Sequence, residues 1–103
     1  MIIAIDFDGV LCNRPGFPRG IEFISCEPTQ GAVEAVWWLH KKHKVYILTG
    51  RPSEDWDDIR KWLKKWRFPK LEVSNVKKAG THIYVDDRAI RFINWLDVVK
   101  YLG

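Results

Sequence analysis

Two aspartates one residue apart, Asp6 and Asp8, directly follow the apolar run Ile2-Ile3-Ala4-Ile5 and precede Gly9. A short, wholly apolar run reads as a strand buried on both faces. The carboxyl ends of strands in an open α/β sheet are where ligands bind. Strand alternation sends the two carboxylates to opposite sides, but a turn at Gly9 can bring both to one pocket. Paired carboxylates at such a place suit metal binding, proton transfer, or both. A second pair, Asp86-Asp87, follows the β-rich run His82-Ile83-Tyr84-Val85. Between the pairs, Val45-Tyr46-Ile47-Leu48 ends in Thr49-Gly50-Arg51. A solvated turn would explain either acidic pair alone. Three strand ends that each deliver polar residues are harder to ascribe to solubility, and parallel strands would set all three on one edge.

The elements that must hold these groups are legible in outline. A first strand is expected over about residues 2–6, then a loop over about 9–28 with a small hairpin near Ile21–Ile24. A helix from near Thr29 to about Lys42 should bury Ala32, Val36 and Leu39, with Trp38 nearly opposite and exposed. A second helix has Ser53 as N-cap, Glu54 and Asp55 in its first turn, and Lys64, Lys65 and Arg67 at its end. Its expected buried stripe is Trp56, Ile59, Leu63 and Trp66. Leu71-Glu72-Val73 reads as a short strand, followed by the Lys77-Lys78 turn. Asn94 and Asp97 resemble a capping box opening a last helix that should bury Trp95, Val98, Val99 and Leu102. Alternating strands and helices argue a three-layer, Rossmann-like α/β fold with a mainly parallel central sheet.

Composition narrows the class. A chain of 103 residues with 47% hydrophobic content is expected to form one domain, residues 1–103, with an ordinary core. No apolar run is long enough to span a bilayer, and Asp6 and Asp8 interrupt the only apolar stretch at the N-terminus. No membrane partner and a cytoplasmic location are therefore expected. Cys12 and Cys26 flank a loop-like segment that a disulfide could close, but they lack metal-ligand spacing, and free thiols are the plain expectation for that compartment. His40, His43 and His82 show no ligand spacing either. The net charge of +4 mildly favours anionic ligands, although many of the lysines fall at helix ends, where they offset the helix dipole.

Taken in chain order, Asp6-x-Asp8-Gly9, Leu48-Thr49-Gly50-Arg51, Lys77-Lys78 and Val85-Asp86-Asp87 resemble the haloacid dehalogenase-like superfamily of hydrolases, in its small, capless phosphatase form. The resemblance covers nearly the whole chain. It implies Asp6 as the nucleophile that becomes an aspartyl-phosphate and Asp8 as general acid and base. It implies Thr49 and the Gly50 amide as phosphate contacts. Lys78 would neutralise charge on nucleophile and phosphate, with Lys77 as the competing choice. Magnesium is the implied cofactor, held by Asp6, the backbone carbonyl of Asp8, Asp86 and Asp87, the last directly or through a water. Arg51 would either contact the substrate or hold its turn.

Relatives that carry a cap insert it after the first motif or before the last strand; here the first gap holds a flap-like loop at 9–28 and the second, at about 74–81, a turn. An open site suits a large phosphoester, such as a nucleotide or a nucleic-acid end, or a cap lent by another subunit. Asn13, Arg14, Phe17 and Arg19 in the flap are candidate leaving-group contacts. The expected function is a magnesium-dependent phosphomonoesterase. The alternative is a phosphate-accepting or non-catalytic binding module of the same fold. A response-regulator receiver fits less well, because its phosphorylated aspartate ends a middle strand, where this chain has Thr49.

Overall fold

The computed structural model describes residues 1–14 and 26–103. The expected hairpin near 21–24, and Phe17 and Arg19, lie outside the described residues. Four strands form the sheet: β1 (Ile2–Ile5), β2 (Lys44–Leu48), β3 (Glu72–Ser74) and β4 (Ile83–Val85). Their order is β3-β2-β1-β4 and every pairing is parallel. The fold is therefore α/β and Rossmann-like, and no cap domain is present among the described residues. All four strands end on one edge, as the three polar strand ends require.

Alternation along the strands gives the sheet two different faces. Ile3, Ile5, Val45, Ile47 and Val73 face the main core. Helices α1 (Ala32–Lys42) and α2 (Trp56–Lys65) contribute Ala32, Val36, Ile59, Trp62 and Leu63 to it. On the other face lie Ala4, Tyr46 and Tyr84, paired in register across β1, β2 and β4. The segment between β3 and β4 crosses this second face. There the Tyr46 hydroxyl accepts from the Lys78 amide at 3.1 Å and pairs with Thr81 Oγ1 at 2.7 Å.

Several local expectations need correction. Helix α1 begins at Ala32, because Gly31 sits in the left-handed region (φ 79°) and closes the preceding turn. Ser53 makes no side-chain cap; Ser53–Asp55 is a single 3-10 turn after Pro52, and α2 starts at Trp56. The buried stripe of α2 includes Trp62 (2% exposed), while Trp56 and Trp66 are only half-buried. Trp62 sits between Phe7 (edge-on, 5.0 Å) and Phe68 (stacked, 5.3 Å), and its indole N–H donates to the Cys26 carbonyl at 2.7 Å.

Cys12 and Cys26 form a disulfide, which overturns the expectation of free thiols. The backbone brings them together. Cys12 bridges Pro28 in antiparallel fashion, and the Asn13 amide donates to the Glu27 carbonyl at 2.7 Å. The largest departure is the last helix, α3 (Trp95–Leu102). Asn94 caps it as expected, its Oδ1 accepting from the Asp97 amide at 2.9 Å. Yet no residue of α3 is buried; Trp95, Val99 and Leu102 are all more than 60% exposed. No described helix is long and apolar enough to cross a membrane.

Candidate active site

The site is built at the carboxyl ends of β1 and β4. Asp6 follows β1 directly, and its amide donates to the Val85 carbonyl at 2.9 Å, which draws the ends of β1 and β4 together. Asp86 and Asp87 follow immediately. The result is a cluster in which carboxylate oxygens of Asp6, Asp86 and Asp87 all lie within 4.8 Å of one another. Asp6 is half-buried; the other two are exposed. The Asp86 carboxylate also accepts from the Arg88 amide at 2.6 Å, closing the turn that aims it.

Gly9 is required for this arrangement. Its φ of 82° favours glycine, and a Cβ there would overlap the Asp87 carboxylate. The turn that contains it is held at the Phe7 carbonyl, which accepts from the amides of Leu11 and Cys12 at 3.0 Å each.

Three carboxylates so close together repel one another. Burial pushes the Asp6 carboxyl up to about 6. The Phe7 amide, donating at 2.8 Å, offsets part of this, and the charges of Asp86, Asp87 and Asp8 add to it. A cation would relieve the repulsion. An all-oxygen, carboxylate-rich donor set suits a hard divalent ion such as magnesium.

Asp8 takes a different place. It is buried, and its carboxylate is gripped by Arg51 through two parallel bonds, Nε to Oδ2 and Nη2 to Oδ1, both 2.9 Å. Arg51 is 1% exposed and also bonds Asp55 at 3.1 Å. Burial opposes the guanidinium's charge, but the bonds to Asp8 and Asp55 outweigh it and raise its pKa above the ordinary value. Arg51 therefore holds its turn. Its amide donates to Thr49 Oγ1 at 3.1 Å, and its carbonyl accepts from the Trp56 indole. Thr49 is buried at the end of β2, with its amide bonded to the Ser74 carbonyl at 2.9 Å. Gly50 beside it is exposed.

The two lysines lie on the second face of the sheet. Lys78 is ion-paired with Glu72, whose carboxyl it holds below the ordinary range. The Lys77 ammonium lies 5.2 Å from the ring centroid of Tyr84, two residues before Asp86. Of the flap residues, Asn13 is exposed and Arg14 half-buried. Sequence reasoning missed the Asp8–Arg51–Asp55 chain; the only available signal was an arginine four residues before an aspartate at a helix start.

No protein-family profile matches the chain, and no solved structure matches it. A protein of Bacillus cereus described as "Putative nucleotidase" is 40% identical over 53 residues, which is 50% of this chain. The chain spans 28% of that protein's length.

Proposed function

We propose that this chain is a magnesium-dependent phosphohydrolase of the haloacid dehalogenase-like, capless type, acting through a phosphoenzyme on Asp6. The observation that carries this reading is the convergence of Asp6, Asp86 and Asp87 at adjacent strand ends. The likeness to a protein described as a nucleotidase supports a phosphorylated substrate, with a nucleotide or nucleic-acid end as the favoured class.

In this reading Asp6, Asp86, Asp87 and the Asp8 carbonyl hold the ion. Its chemistry is to polarise the phosphoryl group and screen it from the carboxylates. The ionised Asp6 carboxylate attacks phosphorus in line as the bond to the leaving oxygen breaks. Asp8 gives that oxygen a proton. Water then attacks the aspartyl-phosphate, Asp8 takes the water's proton, and inorganic phosphate leaves with Asp6 restored. Thr49 and the Gly50 amide bind phosphoryl oxygens, and Lys78 or Lys77 offsets their charge. The placement beside Tyr84 favours Lys77, because the Lys78 ammonium is occupied by Glu72.

One observation favours the second reading, a phosphate-accepting module. Both Asp8 oxygens are engaged by Arg51, so Asp8 must leave that partner before it can transfer a proton. A generic aryl phosphate tests both readings. Turnover should require magnesium and fall at least a thousandfold in Asp6→Asn, on the scale of losing a nucleophile. A stoichiometric burst of product without turnover would favour the acceptor module. No product from a broad phosphoester panel would reject the hydrolase.

A further inference from the structure

The C-termini of α1 and α2 gather charge at the edge of the sheet opposite the acidic cluster. A helix that connects parallel strands runs back to their amino ends. Helix α1 therefore ends at Lys42, beside the start of β2 at Lys44, and α2 ends at Lys65, ahead of β3. Residues 37–44 and 60–70 hold nine of the chain's 17 lysines and arginines and none of its 13 acids. The rest of the chain is net negative, so the positive charge is concentrated at this one end.

The helix dipoles account for cations in the last turns, such as Lys41, Lys42 and Lys65. They do not account for the aromatic rings among them. Trp37 and Trp38 are 41% and 57% exposed, and they are the large apolar side chains that these two segments leave in solvent. The Trp37 indole N–H donates to the Arg67 carbonyl at 2.8 Å, which fixes its ring and joins the ends of α1 and α2 into one surface. The Lys42 ammonium stands 4.2 Å from the centroid of the Trp38 ring. Arg67, exposed and past the end of α2, keeps a left-handed backbone (φ 63°) that glycine adopts more readily. Among the described residues, no carboxylate forms an ion pair with Lys41, Lys42, Lys65 or Arg67.

We infer that this end of the molecule binds a single-stranded nucleic acid, its phosphates on Lys41, Lys42, Lys65 and Arg67 and its bases on the indoles of Trp37 and Trp38. Unpaired cations supply charge for the backbone, and solvent-facing rings supply flat faces for unstacked bases. The hydrogen bond that holds Trp37 orders its ring before the strand arrives. A duplex keeps its bases stacked and leaves the indoles unused. A membrane surface would be met by an inserting aliphatic ridge, and neither segment exposes a Leu, Ile, Val or Phe. The inference is independent of the phosphohydrolase reading, because the surface lies at the other edge of the sheet and requires no metal ion.

Fluorescence anisotropy of a short labelled oligothymidylate tests this on the full chain. The oligonucleotide carries no terminal phosphate and a chelator is present, so the acidic cluster is offered neither ion nor phosphomonoester. The strand should bind, and log affinity should fall against log salt with a slope of about −3, as for four phosphate contacts on a single strand. Trp38→Ala, at an exposed position, should weaken binding by about fivefold or more, the scale of one base–aromatic stack. Arg67→Gly should weaken it at least twofold although glycine suits that backbone better, so loss of fold cannot imitate the effect. A wild type that leaves the oligonucleotide free at low salt overturns the inference. A Trp38→Ala or Arg67→Gly protein that binds as tightly as the wild type overturns it too. So does a duplex of the same length that binds as tightly, or displacement of the strand by polyglutamate or phosphatidylserine vesicles at equal charge.

Discussion

At the scale of single residues, Asp6 is the most revealing group in the molecule. Its carboxyl is pushed up to about 6, chiefly by burial, against an ordinary value of 3.8. The folded chain therefore binds this proton more tightly than the unfolded chain does. Stability from this source is full below about pH 4, declines as pH rises through 6, and is absent above that. In the proposed reading a bound divalent cation would replace the proton. Magnesium should accordingly raise the melting temperature more at pH 7.5 than at pH 5, by on the order of 10 °C at a hundredfold excess over its dissociation constant. Asp6→Asn should melt higher than the wild type without the ion at pH 7.5, and gain much less from adding it. Thermal melts with and without magnesium at the two pH values check this. An equal gain in wild type and variant would remove Asp6 from the ion's ligands.

At the scale of elements, helix α2 ends in a Schellman arrangement without its usual glycine. The Phe68 amide donates to the Leu63 carbonyl at 2.9 Å and the Arg67 amide to the Lys64 carbonyl at 3.2 Å. Arg67 sits at φ 63°, where a Cβ is unfavourable. The Trp37 indole donates to the Arg67 carbonyl at 2.8 Å, which helps to hold this geometry. Arg67→Gly should therefore stabilise the chain by ~0.5–1 kcal/mol, the relief of strain exceeding the added freedom of the unfolded chain. Chemical denaturation measures it, and a loss of stability would contradict the account. The end of this helix was legible from the basic run Lys64, Lys65 and Arg67. The left-handed residue was not, because arginine carries no turn signal. Asp8 shows the same limit at the site. Its place after β1 was legible, but the buried partner that fixes its direction comes from 43 residues away.

At the scale of the whole molecule, the Cys12–Cys26 bridge joins the turn beneath the acidic cluster to the approach to α1. It closes a loop with a sequence separation of 14. Constraint of the unfolded chain by a loop of that size is worth ~3 kcal/mol. Reduction should therefore lower the melting temperature by on the order of 10–20 °C, measured with and without a thiol reductant; an unchanged melt would show that the bridge does not constrain the chain. The sequence alone established the parallel α/β order and the acidic strand ends, because strand period and chain order are local properties that parallel pairing carries to one edge. Only the tertiary structure decided which acids share a cluster, which one is taken by Arg51, that the cysteines meet, and that α3 stands uncovered. Periodicity marks a face as apolar, but whether anything lies opposite that face depends on contacts between residues remote in the chain.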